Sequence, residues 1–104
     1  MNEYNKILRD NVANSLQELK DEYNVCSLNK KETLEYLYSN LISSIYDMYN
    51  TKSLNNIVDC LDLIISIANE YGYSENKINE LKEIMNAELG AFSNKIILNS
   101  NKTL

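Results

Sequence analysis

Apolar side chains recur along most of this chain at steps of three and four, the spacing that puts residues on one side of an α-helix. Over residues 31–49 the set Leu34, Leu37, Tyr38, Leu41, Ile45 and Met48 keeps that step, which predicts a long amphipathic helix. Residues 54–71 are apolar around most of the helical circumference. Leu54, Ile57, Val58, Leu61, Ile65 and Ala68 make one face, and Cys60, Leu63, Ile64 and Ile67 cover much of the rest. What is left is a narrow polar strip of Asn55, Asp59, Asp62, Ser66 and Asn69. A helix apolar nearly all round is normally surrounded by protein, while unpaired carboxylates are costly to bury. The strip is therefore expected to face water, a cation or a ligand.

Between these two helices, residues 50–53 read as a tight connection in which Thr51 or Ser53 caps the next helix, so the pair should form an antiparallel hairpin. Two shorter helices flank it. Residues 11–23 carry Val12, Leu16 and Leu19 before residues 24–29 interrupt the pattern, and residues 74–89 carry Ile78, Leu81, Ile84 and Met85. Gly72 fits a helix stop, and Gly90 fits a left-handed cap at the end of the last helix. Residues 95–98 suggest a short extended arm and residues 99–104 a frayed end. The expectation is an all-α fold in a single domain over residues 1–104, with no internal repeat, low-complexity tract or linker.

Composition narrows the chemistry. The 104 residues include no Pro and two Gly, which suits helices, and a domain this small hides a modest share of its surface, so completion by self-association is expected. The apolar share of 44% and charged share of 24% are those of a globular protein, not of a disordered one. A net charge of -5 argues against binding duplex nucleic acid, whose phosphates call for clustered Lys and Arg. A single nucleotide needs only two or three basic groups. The longest strongly apolar run, residues 61–68, is too short to cross a bilayer, and the acidic, polar start lacks the features of a signal peptide, so the expected location is the cytoplasm, with no membrane partner. Cys26 and Cys60 have no CxxC spacing and the chain has no His, which argues against zinc and for two buried or half-buried thiols. An abundance of Asn, Lys, Ile and Tyr suggests an AT-rich genome.

The two ends carry the most specific signals. The chain opens with YNKILRD, Tyr4 to Asp10, and closes with GAFSNKIIL, Gly90 to Leu98. In that order, with a helical hairpin between, they resemble the MazG-like nucleoside triphosphate pyrophosphohydrolases, in the small branch related to phosphoribosyl-ATP pyrophosphohydrolase. That branch typically begins near YNKLVRD and ends near GGF-(D/E)-K-R-I-x-L, and the resemblance covers essentially the whole chain. It implies a MazG-like helical bundle with a central antiparallel hairpin that carries a magnesium site, assembled as a homodimer or homotetramer. The implied chemistry is attack of water between the α- and β-phosphates of a nucleotide. Magnesium prefers oxygen ligands in near-octahedral geometry, which several carboxylates provide.

Family members place those acids as E-E-x-x-E on the first helix of the hairpin and E-x-x-D on the second. Laid onto this chain, the first pattern falls on Ser43, Ser44 and Asp47 and the second on Asn56 and Asp59. Asp47 and Asp59 alone keep a charge, and Asp62, one turn beyond Asp59, adds a third acid to the strip. Losing three carboxylates weakens magnesium binding and leaves the attacking water without its base. The last helix ends in Met85, Asn86, Ala87, Glu88 and Leu89, where relatives tend to carry basic residues. The cations of the terminal motifs persist: Lys6, Arg9 and Lys95 are the candidate phosphate ligands, Arg being able to donate two bonds at once.

The main expectation is thus a MazG-like protein that binds or sequesters a nucleotide or nucleotide-derived signal without hydrolysing it and needs no cofactor, a device that would suit a phage or mobile element. The rival is a working Mg2+-dependent pyrophosphohydrolase rebuilt on Asp47, Asp59 and Asp62. A third reading is a purely structural oligomer. For Lys6 and Arg9 the plainer role is a surface pair that bridges Asp10, Glu3 or a neighbouring subunit; for Asp47, Asp59 and Asp62 it is a solvated strip. Eight tyrosines invite stacking on a nucleobase, but at helical spacing they serve equally as core and interface side chains with the hydroxyl in solvent.

Overall fold

The protein was described from a computed structural model, which describes residues 6–17 and 28–99. Four helices follow in order: α1 (Asp10–Gln17), α2 (Lys30–Thr51), α3 (Leu54–Glu70) and α4 (Glu75–Leu89), and no strand occurs among the described residues. The all-α expectation is met. No described helix is long and apolar enough to cross a membrane.

Each boundary has a local cause. At the start of α2, the Asn29 side chain accepts from the Glu32 N-H at 2.9 Å. Ser53 accepts from the Asn56 N-H at the start of α3, and Ser74 from the Lys77 N-H at the start of α4. These bonds satisfy amides that no helical carbonyl can reach. Of the two residues proposed to cap α3, Ser53 takes that role, while Thr51 closes α2 and donates its hydroxyl to Asn56 Oδ1 at 2.7 Å.

The reversal between α2 and α3 is made by Lys52, whose φ of 56° lies in the left-handed region that non-glycine residues seldom adopt. Its amide closes α2 by donating to the Met48 carbonyl at 2.9 Å. Gly90 ends α4 with φ 83° and ψ 165°, so it is not the left-handed helical cap anticipated from sequence. The conformation still demands glycine, because φ is positive.

α2 and α3 form the antiparallel hairpin, and α4 touches α3 after the Gly72 turn. The buried apolar set is small: Leu37 from α2, and Cys60 and Ile67 from α3. Helical periodicity places Tyr38, Ile45 and Tyr49 of α2, with Ile57, Leu61, Ile64 and Ala68 of α3, on one side of this seam. Hydroxyls of Tyr38 and Tyr71 meet at 2.7 Å on that side. The apolar girdle of α3 is not surrounded by protein as the sequence led one to expect: Leu54, Ile57, Val58, Leu61 and Ile64 are all exposed. One hairpin has too few layers to cover both its faces. The tail beyond α4 forms no described strand, and Phe92 and Leu98 are each 94% exposed.

The helix expected over residues 11–23 is seen as α1; its second half, Leu19 and Cys26 lie outside the described residues, as do residues 100–104 of the anticipated frayed end.

Candidate functional site: an arginine-bridged acidic cleft

On the other side of the α2/α3 seam lies an open cleft of about 540 Å³. Residues 6–10 and Val12 form one wall, α2 supplies Leu37, Asn40, Ser44 and Asp47, and α3 supplies Asn56, Asp59, Asp62, Leu63, Ile65 and Ser66. Seven of the residues singled out in the sequence, Lys6, Arg9, Ser44, Asp47, Asn56, Asp59 and Asp62, therefore share one concavity. Ser43 and Lys95 are not part of its lining. Ser43 is half-buried on α2, and Lys95 turns back on its own segment, donating from Nζ to the Phe92 carbonyl at 2.9 Å.

The centre of the cleft is Arg9. Its Nη2 donates to Asp59 Oδ1 at 2.6 Å, its Nε donates to the same oxygen at 3.1 Å, and its Nη1 donates to Asp62 Oδ2 at 2.8 Å. Asp59 and Asp62 present adjacent carboxylates because a step of three residues on α3 keeps them on one face. The guanidinium fork matches such a pair. The hydrogen bonds it donates to Asp59, then to Asp62, raise the Arg9 pKa above its ordinary value, so the side chain is a permanent cation. Among the described residues, three of its five N-H donors are used by these acids. All three side chains are about half exposed.

A second contact fixes the same wall. The Ile7 amide donates to Asn40 Oδ1 at 3.1 Å, and Asn40 Nδ2 donates to the Tyr36 carbonyl at 2.9 Å. Asn40 is the buried polar residue of the described hairpin. Its role was missed in the sequence, although a polar residue three positions after Leu37, on the core-facing side of α2, was the available signal.

Asn56, one of the positions that the sequence resemblance aligned with a metal-binding acid, has a local task here. Its Oδ1 accepts from Ser53 Oγ at 2.6 Å and from Thr51 Oγ1 at 2.7 Å, so it knits the α2/α3 turn. Beneath the acids, burial pushes the Cys60 thiol pKa up, and nearby Asp59 and Asp47 add to the effect.

In charge, the lining sets Asp10, Asp47, Asp59 and Asp62 against Lys6 and Arg9, a net of −2. A dense polyphosphate alone would be repelled by this balance. Nor do the acids fit a magnesium cage as they stand: among the described residues no group of three or more His, Cys, Asp or Glu could hold a metal ion, and two of the three candidate acids are committed to Arg9. None of the described tyrosines lines the cleft. No family model, curated protein or solved structure matches the chain.

Proposed function

We propose that the chain is a MazG-like ligand-binding module that works as a homo-oligomer and captures a nucleotide-derived molecule without hydrolysing it. The observation that carries this is the seat of Arg9. Its guanidinium binds Asp59, where the resembled family pattern places a metal-binding acid, together with Asp62 one turn beyond, and so occupies the carboxylates that a divalent cation would need. Held on two carboxylates, the guanidinium is fixed in place, and its two remaining N-H donors with Lys6 give a small anion-binding edge. Leu37, Leu63 and Ile65 offer an apolar floor for the uncharged part of a ligand.

The net negative lining selects among nucleotides. A phosphodiester carries one charge per phosphate, whereas a free triphosphate brings three or more into the same volume, so cyclic or linear dinucleotides suit the cleft better than ATP. The exposed apolar side of the hairpin, opposite the cleft, is the seam on which a second copy would pack. Membrane and duplex nucleic acid are not expected partners.

Calorimetric titration with a cyclic dinucleotide, a linear dinucleotide and ATP, each with and without Mg2+, tests the proposal when the ligand is afterwards recovered by chromatography. Binding without Mg2+, loss of affinity in Arg9→Gln, and intact ligand support it. The rival hydrolase draws on Asp47, Asp59 and Asp62 lining one cleft, and predicts Mg2+-dependent pyrophosphate release that Asp59→Ala abolishes. No heat with any of the ligands would contradict both and leave a structural oligomer.

A further inference from the structure

Two contacts of opposite character fasten residues 6–9 to the hairpin. One is the neutral, part-buried bond from the Ile7 amide to Asn40, whose acceptor oxygen is itself oriented by the bond to Tyr36. The other is the exposed ionic clasp of Arg9 on Asp59 and Asp62. α1, which follows directly, is not among the helix pairs that pack, and its Val12 is half exposed even where it meets the cleft. Among the described residues, these two contacts hold the arm to the hairpin. Between them, Ile7 and Leu8 line the same cleft as Leu37, Leu63 and Ile65 and give it one of its walls.

We propose that residues 6–9 are a releasable strap over the α2/α3 cleft, closed by Arg9 on Asp59 and Asp62 and opened when dissolved ions screen or replace that clasp. Exposed charge pairs are screened strongly once the Debye length falls from about 10 Å to about 3 Å between 0.1 M and 1 M salt. A hydrogen bond to a buried amide is not. The other charged side chains lining the cleft beside the strap are Lys6, Asp10 and Asp47. The strap follows from these contacts whatever ligand the cleft takes.

Hydrogen exchange at the Ile7 amide, followed by NMR at fixed pH without any nucleotide, reads the strap directly because that amide is protected only while the arm is closed. Raising NaCl from about 0.05 M to about 1 M should speed its exchange roughly two- to fivefold, the range that exposed ion pairs support. In Arg9→Gln, and in the double variant Asp59→Asn with Asp62→Asn, exchange should already be fast at low salt and indifferent to more. Amides within α3, read in the same spectra, should not change and show that the hairpin is intact. Equal Ile7 exchange at both salts in the unaltered protein, or undiminished protection in Arg9→Gln, overturns the strap.

Discussion

Replacing Leu61 by Ala should weaken self-association about thirtyfold. A compact 12.0 kDa monomer should expose about 6,000 Å², whereas this chain exposes 9583 Å². Its radius of gyration of 18.1 Å likewise exceeds the about 13 Å of a compact domain this long. The excess is several times the roughly 800 Å² that each partner gives to a standard interface. Leu61 lies in the middle of the apolar side of α3 and is 53% exposed. Burying its remaining half contributes about 1 kcal/mol. A two-fold seam uses the residue twice, so the loss is about 2 kcal/mol, or about thirtyfold in Kd. Sedimentation equilibrium over a concentration series is the assay, with at least twice the chain mass expected for the unaltered protein. A monomer of 12.0 kDa at tens of micromolar that still unfolds cooperatively would refute the reasoning, as would an unchanged Kd in Leu61→Ala.

Two further outcomes follow from local contacts. Ser53→Ala removes the cap of α3 and its bond to Asn56, which should cost about 1 kcal/mol and lower Tm by about 4–8 °C in a melt followed by circular dichroism. Alkaline pH should destabilise the hairpin. Burial raises the Cys60 pKa above 9.0, and the hydrogen bond shared with Tyr38 raises that of Tyr71 above 10.0. The neutral forms are thus favoured in the fold, their stabilisation is complete below those ordinary values, and it drains away as pH climbs through the raised ones. Urea midpoints measured from pH 7 to 11 should fall in that upper window, and Tyr71→Phe should shrink the fall; a flat profile would speak against it.

What could be read in the sequence was whatever depends on neighbours along the chain. The α2 and α3 periodicities, the tight turn between them and a cap from Thr51 or Ser53 are decided within a few residues, and the helices stand close to where the pattern put them. The clasp was not legible, because Arg9 and Asp59 are 50 positions apart and periodicity cannot say which distant charge meets the polar strip. The plainer role considered for Arg9 was a bridge to Asp10, Glu3 or a neighbouring subunit; Glu3 lies outside the described residues, and the acids Arg9 bridges within them are Asp59 and Asp62 of the polar strip. In sequence Asn56 reads as a degenerate metal position, and its contacts to Ser53 and Thr51 in the turn were not foreseen, since periodicity does not show what a short amide binds. Lys95 shared a motif with the phosphate candidates, yet its positive-φ backbone and bond to Phe92 keep it with the tail.

The central claim is that the protein's own guanidinium stands in the place of a metal ion, so that a captured nucleotide leaves unbroken. Phosphorus NMR of a cyclic dinucleotide, and separately of ATP, held with the protein and excess Mg2+ tests this most directly. The account predicts that each starting spectrum persists for the life of the sample, with resonances shifted only where binding occurs. Pyrophosphate and nucleoside monophosphate growing in from ATP, and ceasing to do so in Asp59→Ala, would contradict it.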